Sequence, residues 1–285
     1  MADKQQQIDD FDPENPGVAG NIFGLPFTSE TAKVILMPVP WDVTVSYREG
    51  TSKGPSAILE ASAQLDYYLP DHPDGWMHGI YMLPMQDEWQ HINQQLRPRA
   101  ASYIEAVENG QPVLDFEATV KEINQQCHRL KESVYLTCKS FLEQDKIAGV
   151  VGGDHSTPLG LIKALDERYD TFGILQIDAH ADLRKSYEAF TYSHASIMYN
   201  VLQETTVNHI VQVGVRDVSR GEIAFAQQNS DRVTMFHDMH ICEGRFGGKT
   251  WKEQSQDIIS ALPEHVYISF DIDGLDAKLC PSTGT

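Results

Sequence analysis

The chain has 285 residues, 41% of them hydrophobic, enough to bury a sizeable core as one large domain or two small ones. Its 41 acidic residues against 22 basic ones give a formal net charge of -19, which opposes binding to nucleic acid or to an anionic membrane surface and suits a cationic or neutral small ligand. Cys127, Cys138, Cys242 and Cys280 stand singly, and neither a signal-peptide core nor a run of 18 apolar residues is present, so a protein of the reducing cytoplasm is expected.

Residues 1 to about 30 are polar and rich in Asp, Gln, Pro and Gly. They read as an extension laid on the surface or partly disordered, with the folded domain over residues 31–285. AKVILMPVP then predicts a buried strand, followed by a loop, WDVTVSYREGTSKGP, and a helix starting near Pro55. Between Phe116 and about Glu143, Ile123, Cys127, Leu130, Val134, Cys138 and Phe141 recur at steps of three and four, the stripe of an amphipathic helix. Strand-like and helix-like runs alternate from there: IAGVVGG, a helix after Ser156, FGILQID, a helix through Ile197 to Leu202, HIVQVGV, a helix near Glu222 to Gln228, VTMFH, a helix through Ile258 to Leu262, and VYISFDID. Such alternation predicts an α/β fold, a parallel sheet covered by helices on both faces.

Ligand sites of parallel α/β sheets lie beyond the carboxyl ends of the strands, and three of these ends are polar. IAGVVGG leads into Asp154 and His155, FGILQI into Asp178, His180 and Asp182, and VYISF into Asp271 and Asp273. Extended backbone alternates faces, so Asp178, His180 and Asp182 can point to one side, as can Asp271 and Asp273. Carboxylates gathered in that way repel one another unless a cation neutralises them. The set His155, Asp178, His180, Asp182, Asp271 and Asp273 suits two divalent ions with bridging carboxylates, and manganese fits it best. A single Asp after a strand is ordinarily a cap or a turn residue, but three clusters on three strand ends are hard to explain as caps. Gly152 and Gly153 lack the lysine and the spacing of a phosphate loop, Ser156 lacks a nucleophile elbow, and His237 and His240 read as surface residues of a loop.

GGDHS at 152–156, DAHADL at 178–183 and SFDIDGLDA at 269–277 resemble the three metal-binding signatures of the ureohydrolase superfamily, the arginases, agmatinases and their relatives. PVPWDVTVSYREGTSKGPSAI resembles that family's early strand and glycine-rich loop, so the likeness spans residues 33–285. The resemblance implies a three-layer α/β/α arginase-like fold with a central, mostly parallel sheet, a homotrimer or homohexamer, and two Mn2+ ions, with Ni2+ in some members. It implies that His155, Asp178, Asp182 and Asp271 hold one ion, and that Asp178, His180, Asp271 and Asp273 hold the other. The implied reaction is hydrolysis of a cationic guanidino compound by an activated water, with Asp182 taking up its proton and His194, in YSHAS, acting as proton shuttle.

DLRKSYEAFTYSHAS resembles agmatinases, and Arg184 departs from the arginase pattern, so agmatine, hydrolysed to putrescine and urea, is the expected substrate. Guanidine, arginine, guanidino acids and formiminoglutamate are the alternatives. In the family a TGTP-x-x-GG segment continues through another strand and helices and carries an acidic partner of the guanidinium, whereas this sequence stops within it. The resemblance therefore implies that the C-terminal part of the fold is missing, and it leaves the substrate-binding residues unassigned. That departure also motivates a different expectation, a non-catalytic ureohydrolase-like protein that binds a partner.

Overall fold

The structure, a computed structural model, describes residues 3–15, 17 and 20–283. Strand β1 (Val34–Val39) forms where the apolar run predicts it, and Asp42 orders the loop beyond it. The Asp42 carboxylate accepts hydrogen bonds from the backbone N–H of Gly50 at 2.8 Å and of Ser52 at 3.2 Å, and from the Asn93 amide at 2.8 Å. Gly50, at φ 123°, takes a conformation that side chains rarely adopt. Helix α2 (Gly54–Ser62) then begins with Pro55 in its first turn, where a missing N–H costs nothing.

Strands β2 (Ile80–Met82), β1 and β3 (Ile147–Gly152) form one parallel sheet. A second parallel sheet has the order β6 (Val233–His237), β5 (His209–Val215), β4 (Gly173–Ile177), β7 (Val266–Phe270). Every pairing between these strands is parallel, as the alternation of strands and helices predicts, but among the described residues the sheet is hydrogen-bonded in two parts. The carboxyl ends of the two parts still meet, because His155 Nδ1 after β3 lies 3.4 Å from Asp271 Oδ2 after β7.

Helix α4 (Glu117–Leu142) carries the predicted stripe. Ile123, Cys127, Leu130, Val134 and Cys138 are buried in a core shared with Met37 and Val39 of β1 and Leu161 and Ala164 of α5 (Leu159–Arg168). Helix α3 (Asp87–Glu108), which has Pro98 in its interior, adds Trp89, Leu96, Ala100, Tyr103 and Ile104 to that core. A second core gathers Ile174 of β4, Ile210 of β5 and Ile197, Met198 and Val201 of α6 (Ile197–Glu204). Helices α7 (Arg220–Gln228) and α9 (Trp251–Ser260) both open with capping boxes, Ser219 with Glu222 and Thr250 with Glu253. No described helix is long and apolar enough to cross a membrane.

The N-terminal segment differs from the surface extension that its composition suggests. Helix α1 (Lys4–Asp10) buries none of its residues, but Ile22, Leu25 and Phe27 are 1–2% exposed, and Phe11 packs against Tyr67 and Trp76. A few apolar residues among many polar ones suffice when they converge on one aromatic cluster. Residues 1, 2, 16, 18 and 19 of that segment, and Gly284 and Thr285 of the KLCPSTGT ending, lie outside the described residues. His237 and His240 are not in a loop: His237 caps helix α8 (Asp238–Phe246) and His240 sits in its first turn.

Candidate metal centre

The three polar strand ends come together at one point. His155 Nδ1 lies 2.9 Å from Asp178 Oδ2 and 2.9 Å from Asp182 Oδ2, and His180 Nδ1 lies 3.1 Å from Asp273 Oδ2 and 3.5 Å from Asp178 Oδ1. Two groups of donor atoms fall within 4.8 Å of one another, one from His155, Asp178 and Asp271 and one from Asp178, His180 and Asp273. Asp178 belongs to both and offers a different oxygen to each histidine. Asp178, Asp182, Asp273 and His155 are all buried, with His180 and Asp271 at the open side.

The donor set fits a divalent cation on an observation at His155. Its Nε2 lies 2.8 Å from Ser269 Oγ, while Nδ1, buried beside three carboxylates, makes no aligned hydrogen bond to any of them. A ring whose far nitrogen is held by a hydroxyl and whose near nitrogen faces carboxylate oxygens without alignment is oriented like an imidazole ligand with its outer partner. Asp182 holds its place through a φ of 53°, a left-handed backbone uncommon for a residue with a side chain.

The electrostatics ask for positive charge. Burial opposes charging of the His155 ring, but the carboxylates of Asp178 and Asp182 prevail and raise it well above the usual imidazole range. Hydrogen bonds to Asp178 and Asp273 push His180 up to about 11. Burial would raise the Asp178 carboxyl, yet the imidazoles of His155 and His180 against its two oxygens bring it below its ordinary value. Burial, with the charges of Asp178 and Asp271, pushes Asp182 up to about 7, and burial also raises Asp271. Without a metal, the cluster takes up protons on its imidazoles and on Asp182; divalent cations would displace those protons.

His194 stands apart from this set. It lies in a short turn, His194–Ser196, with Nδ1 3.4 Å from Ser193 Oγ and its ring edge-on to Tyr187 at 6.0 Å. Burial, reinforced by positive charge on His180 and His155, holds it down to about 4, so it is neutral at pH 7. As pH falls, the unfolded chain therefore binds this proton first, starting near the ordinary value of 6.5, and the folded protein only near 4. In metal-free protein, stability conferred by neutral His194 should be complete above pH 6.5 and lost on going down to pH 4. Discounted for the partial exposure of the residue, the loss is about 2 kcal/mol. Denaturant titrations at pH 7 and pH 4.5 should show a shallower acid limb for His194→Asn, and identical limbs would refute the assignment.

The loop between the cluster and His194 explains Arg184. Its Nε is 3.6 Å from Glu222 Oε2 and its guanidinium lies over the Tyr187 ring at 5.1 Å, so its charge is already matched. Glu222 also accepts from the Leu183 backbone N–H at 3.2 Å, which ties α7 to the end of the DAHADL segment. Ser269, against His155, and Glu222, against Leu183, are neighbours of the cluster that spacing does not reveal. Ser269 precedes Asp271 by two and shares its face of the strand, which is the only local signal, and Glu222 reads simply as half of a capping box. His237 and His240 do not join the cluster; they line, with Arg216 and Asp238, an open depression of about 320 Å³ at the ends of β5 and β6.

The arginase-family profile matches residues 32–285. The N(1)-aminopropylagmatine ureohydrolase of Thermus thermophilus is 32% identical over 256 residues, 90% of this chain and 72% of that protein. The agmatinase of Bacillus subtilis is 27% identical over 257 residues, again 90% of this chain and 73% of that protein. Among solved structures, the agmatine ureohydrolase of Thermoplasma volcanium superposes with a TM-score of 0.68 at 22% identity, covering 99% of this chain and 78% of that one, a likeness of fold. The chain belongs to the arginase family, the ureohydrolases, enzymes that hydrolyse carbon–nitrogen bonds.

Proposed function

We propose that this protein is a dimanganese hydrolase of a cationic aliphatic guanidino compound, agmatine in the first instance, which it converts to putrescine and urea. The observation that carries this reading is one buried carboxylate, Asp178, common to two donor groups that each include a histidine. In it, His155, Asp178, Asp182 and Asp271 hold one ion and Asp178, His180, Asp271 and Asp273 the other. The ions, when bound, supply charge that lowers the pKa of a shared water and make it a nucleophile at neutral pH. Asp182, the buried carboxylate against His155, takes up the proton that water loses. His194, neutral at pH 7, takes up a proton from solvent and passes it to the leaving amine as the C–N bond breaks. Arg184, paired with Glu222, presents no spare cation to an α-carboxylate, which favours agmatine over arginine.

A second substrate reading, N(1)-aminopropylagmatine, is favoured by the relative from Thermus thermophilus, whose name states that activity. The test is urea release from agmatine, N(1)-aminopropylagmatine, guanidine, arginine and guanidino acids, with protein loaded with manganese and, separately, with nickel. Urea from agmatine at the highest kcat/KM is the expected result. Urea from none of them would sink the hydrolase reading and leave the protein as a binding module.

A further inference from the structure

Gln176 and Gln212 occupy the middle of β4 and β5, paired in register between Leu175 and Ile177 on one strand and Val211 and Val213 on the other. Both are 0% exposed. An amide deep in a parallel sheet loses its hydration where an aliphatic side chain would not, so its hydrogen bonds should reveal what it does there. Gln176 Nε2 donates to Asp178 Oδ2 at 2.8 Å and lies 3.4 Å from the His180 carbonyl oxygen. Because a carboxylate only accepts, the Gln176 amide has one orientation, with Oε1 turned to β5. There Gln212 Nε2 donates to it at 2.6 Å and to the Ala181 carbonyl oxygen at 2.6 Å. Turning either amide over would set oxygen against oxygen.

We infer that Gln212 and Gln176 form a buried amide relay that positions the Asp178 carboxylate, and with it the turn through His180 to Asp182, for metal binding. They are positioning residues and touch no metal. The inference rests on the dimetal reading above. If the two amides only satisfied each other, their loss would lower stability and leave metal affinity alone. If they form the relay, Asp178 becomes free to rotate and affinity falls, as it does when outer partners of metal ligands are removed.

The experiment is calorimetric titration of the metal-free protein with Mn2+, with Tm recorded in parallel, for wild type, Gln176→Met, Gln212→Met and the double variant. Gln254→Met, at a buried glutamine of α9, is the control. Each relay variant should bind Mn2+ about 10- to 100-fold more weakly, the control as wild type. The double variant should bind within about 2-fold of Gln176→Met, because Gln212 acts largely through Gln176, whereas independent effects would multiply. Gln212→Asn, an amide one methylene too short to span the contact, should weaken binding like Gln212→Met and serves if the latter does not fold. Wild-type affinity in the single variants, whatever their Tm, would overturn the relay. Wild type that binds no Mn2+ would overturn the dimetal reading instead.

Discussion

Asp178→Asn should abolish urea release, with kcat reduced by at least about 10³-fold and bound manganese reduced in the purified protein. The substitution keeps the shape of the side chain and removes half of what the site uses. Asp178 presents Oδ2 to His155 at 2.9 Å and Oδ1 to His180 at 3.5 Å, and it accepts at Oδ1 from the His180 backbone N–H at 2.7 Å. An asparagine retains one acceptor oxygen and turns an NH₂ group towards the other histidine, so one donor group loses its shared anion. A neighbouring aspartate cannot substitute, because Asp271 and Asp273 are fixed by β7 and by the short helical turn after it. Metal content by mass spectrometry and urea release on the same preparation decide the matter. A variant that keeps both full metal content and activity would show that Asp178 is not a shared ligand.

The second large effect concerns Gly153. A Cβ built there would lie 2.1 Å from the Trp41 carbonyl oxygen, 2.8 Å from the Trp41 nitrogen and 2.9 Å from the Val39 carbonyl oxygen. All three are backbone atoms of the segment leaving β1, and the same approach lets Gly153 N–H bond Val39 O at 3.2 Å and Asp154 N–H bond Trp41 O at 2.8 Å. Backbone cannot swing aside as a flexible side chain would, so Gly153→Ala must push β1 and β3 apart next to His155. The expected cost is about 3 kcal/mol or more, a fall in Tm on the order of 10 °C, with weakened metal binding. Gly221→Ala is the matched control. Its Cβ would meet only Ser219 Oγ at 3.9 Å, and alanine inside α7 should be neutral or stabilising by about 0.5–1 kcal/mol. Equal Tm values for the two variants would refute the close-approach account.

Gly153 also shows how the sequence can point to a residue for the wrong reason. Adjacent glycines before a helix raise the thought of a phosphate cradle, whereas here the second one permits two backbones to touch. The residues that meet at the strand ends, by contrast, stood out in the sequence one by one: His155, Asp178, His180, Asp271 and Asp273 in the two donor groups, with Asp182 beside His155. The apolar run before D-x-H-x-D fixes which end of the strand these groups occupy, but β4 stops at Ile177 and Asp182 reaches the cluster on a left-handed φ, so strand alternation alone does not place them. The stripe of α4 was legible, since period and burial are both local. Helix α3 was not, because polar residues and Pro98 dilute its periodicity and its stripe is recognisable only against the α4 face it covers.

From the sequence alone followed the α/β alternation, the polar strand ends and the chemistry that His155, Asp178, His180, Asp182, Asp271 and Asp273 could share. Those depend on neighbours a few residues apart, where backbone geometry leaves little choice. Only the tertiary structure decided which groups stand behind them: Ser269 behind His155 from 114 residues away, Gln212 behind Gln176 from 36, and Glu222 behind Leu183 from 39. Strand order and register set those partnerships, and both are settled by the packing of the whole sheet, which no local period of the chain encodes.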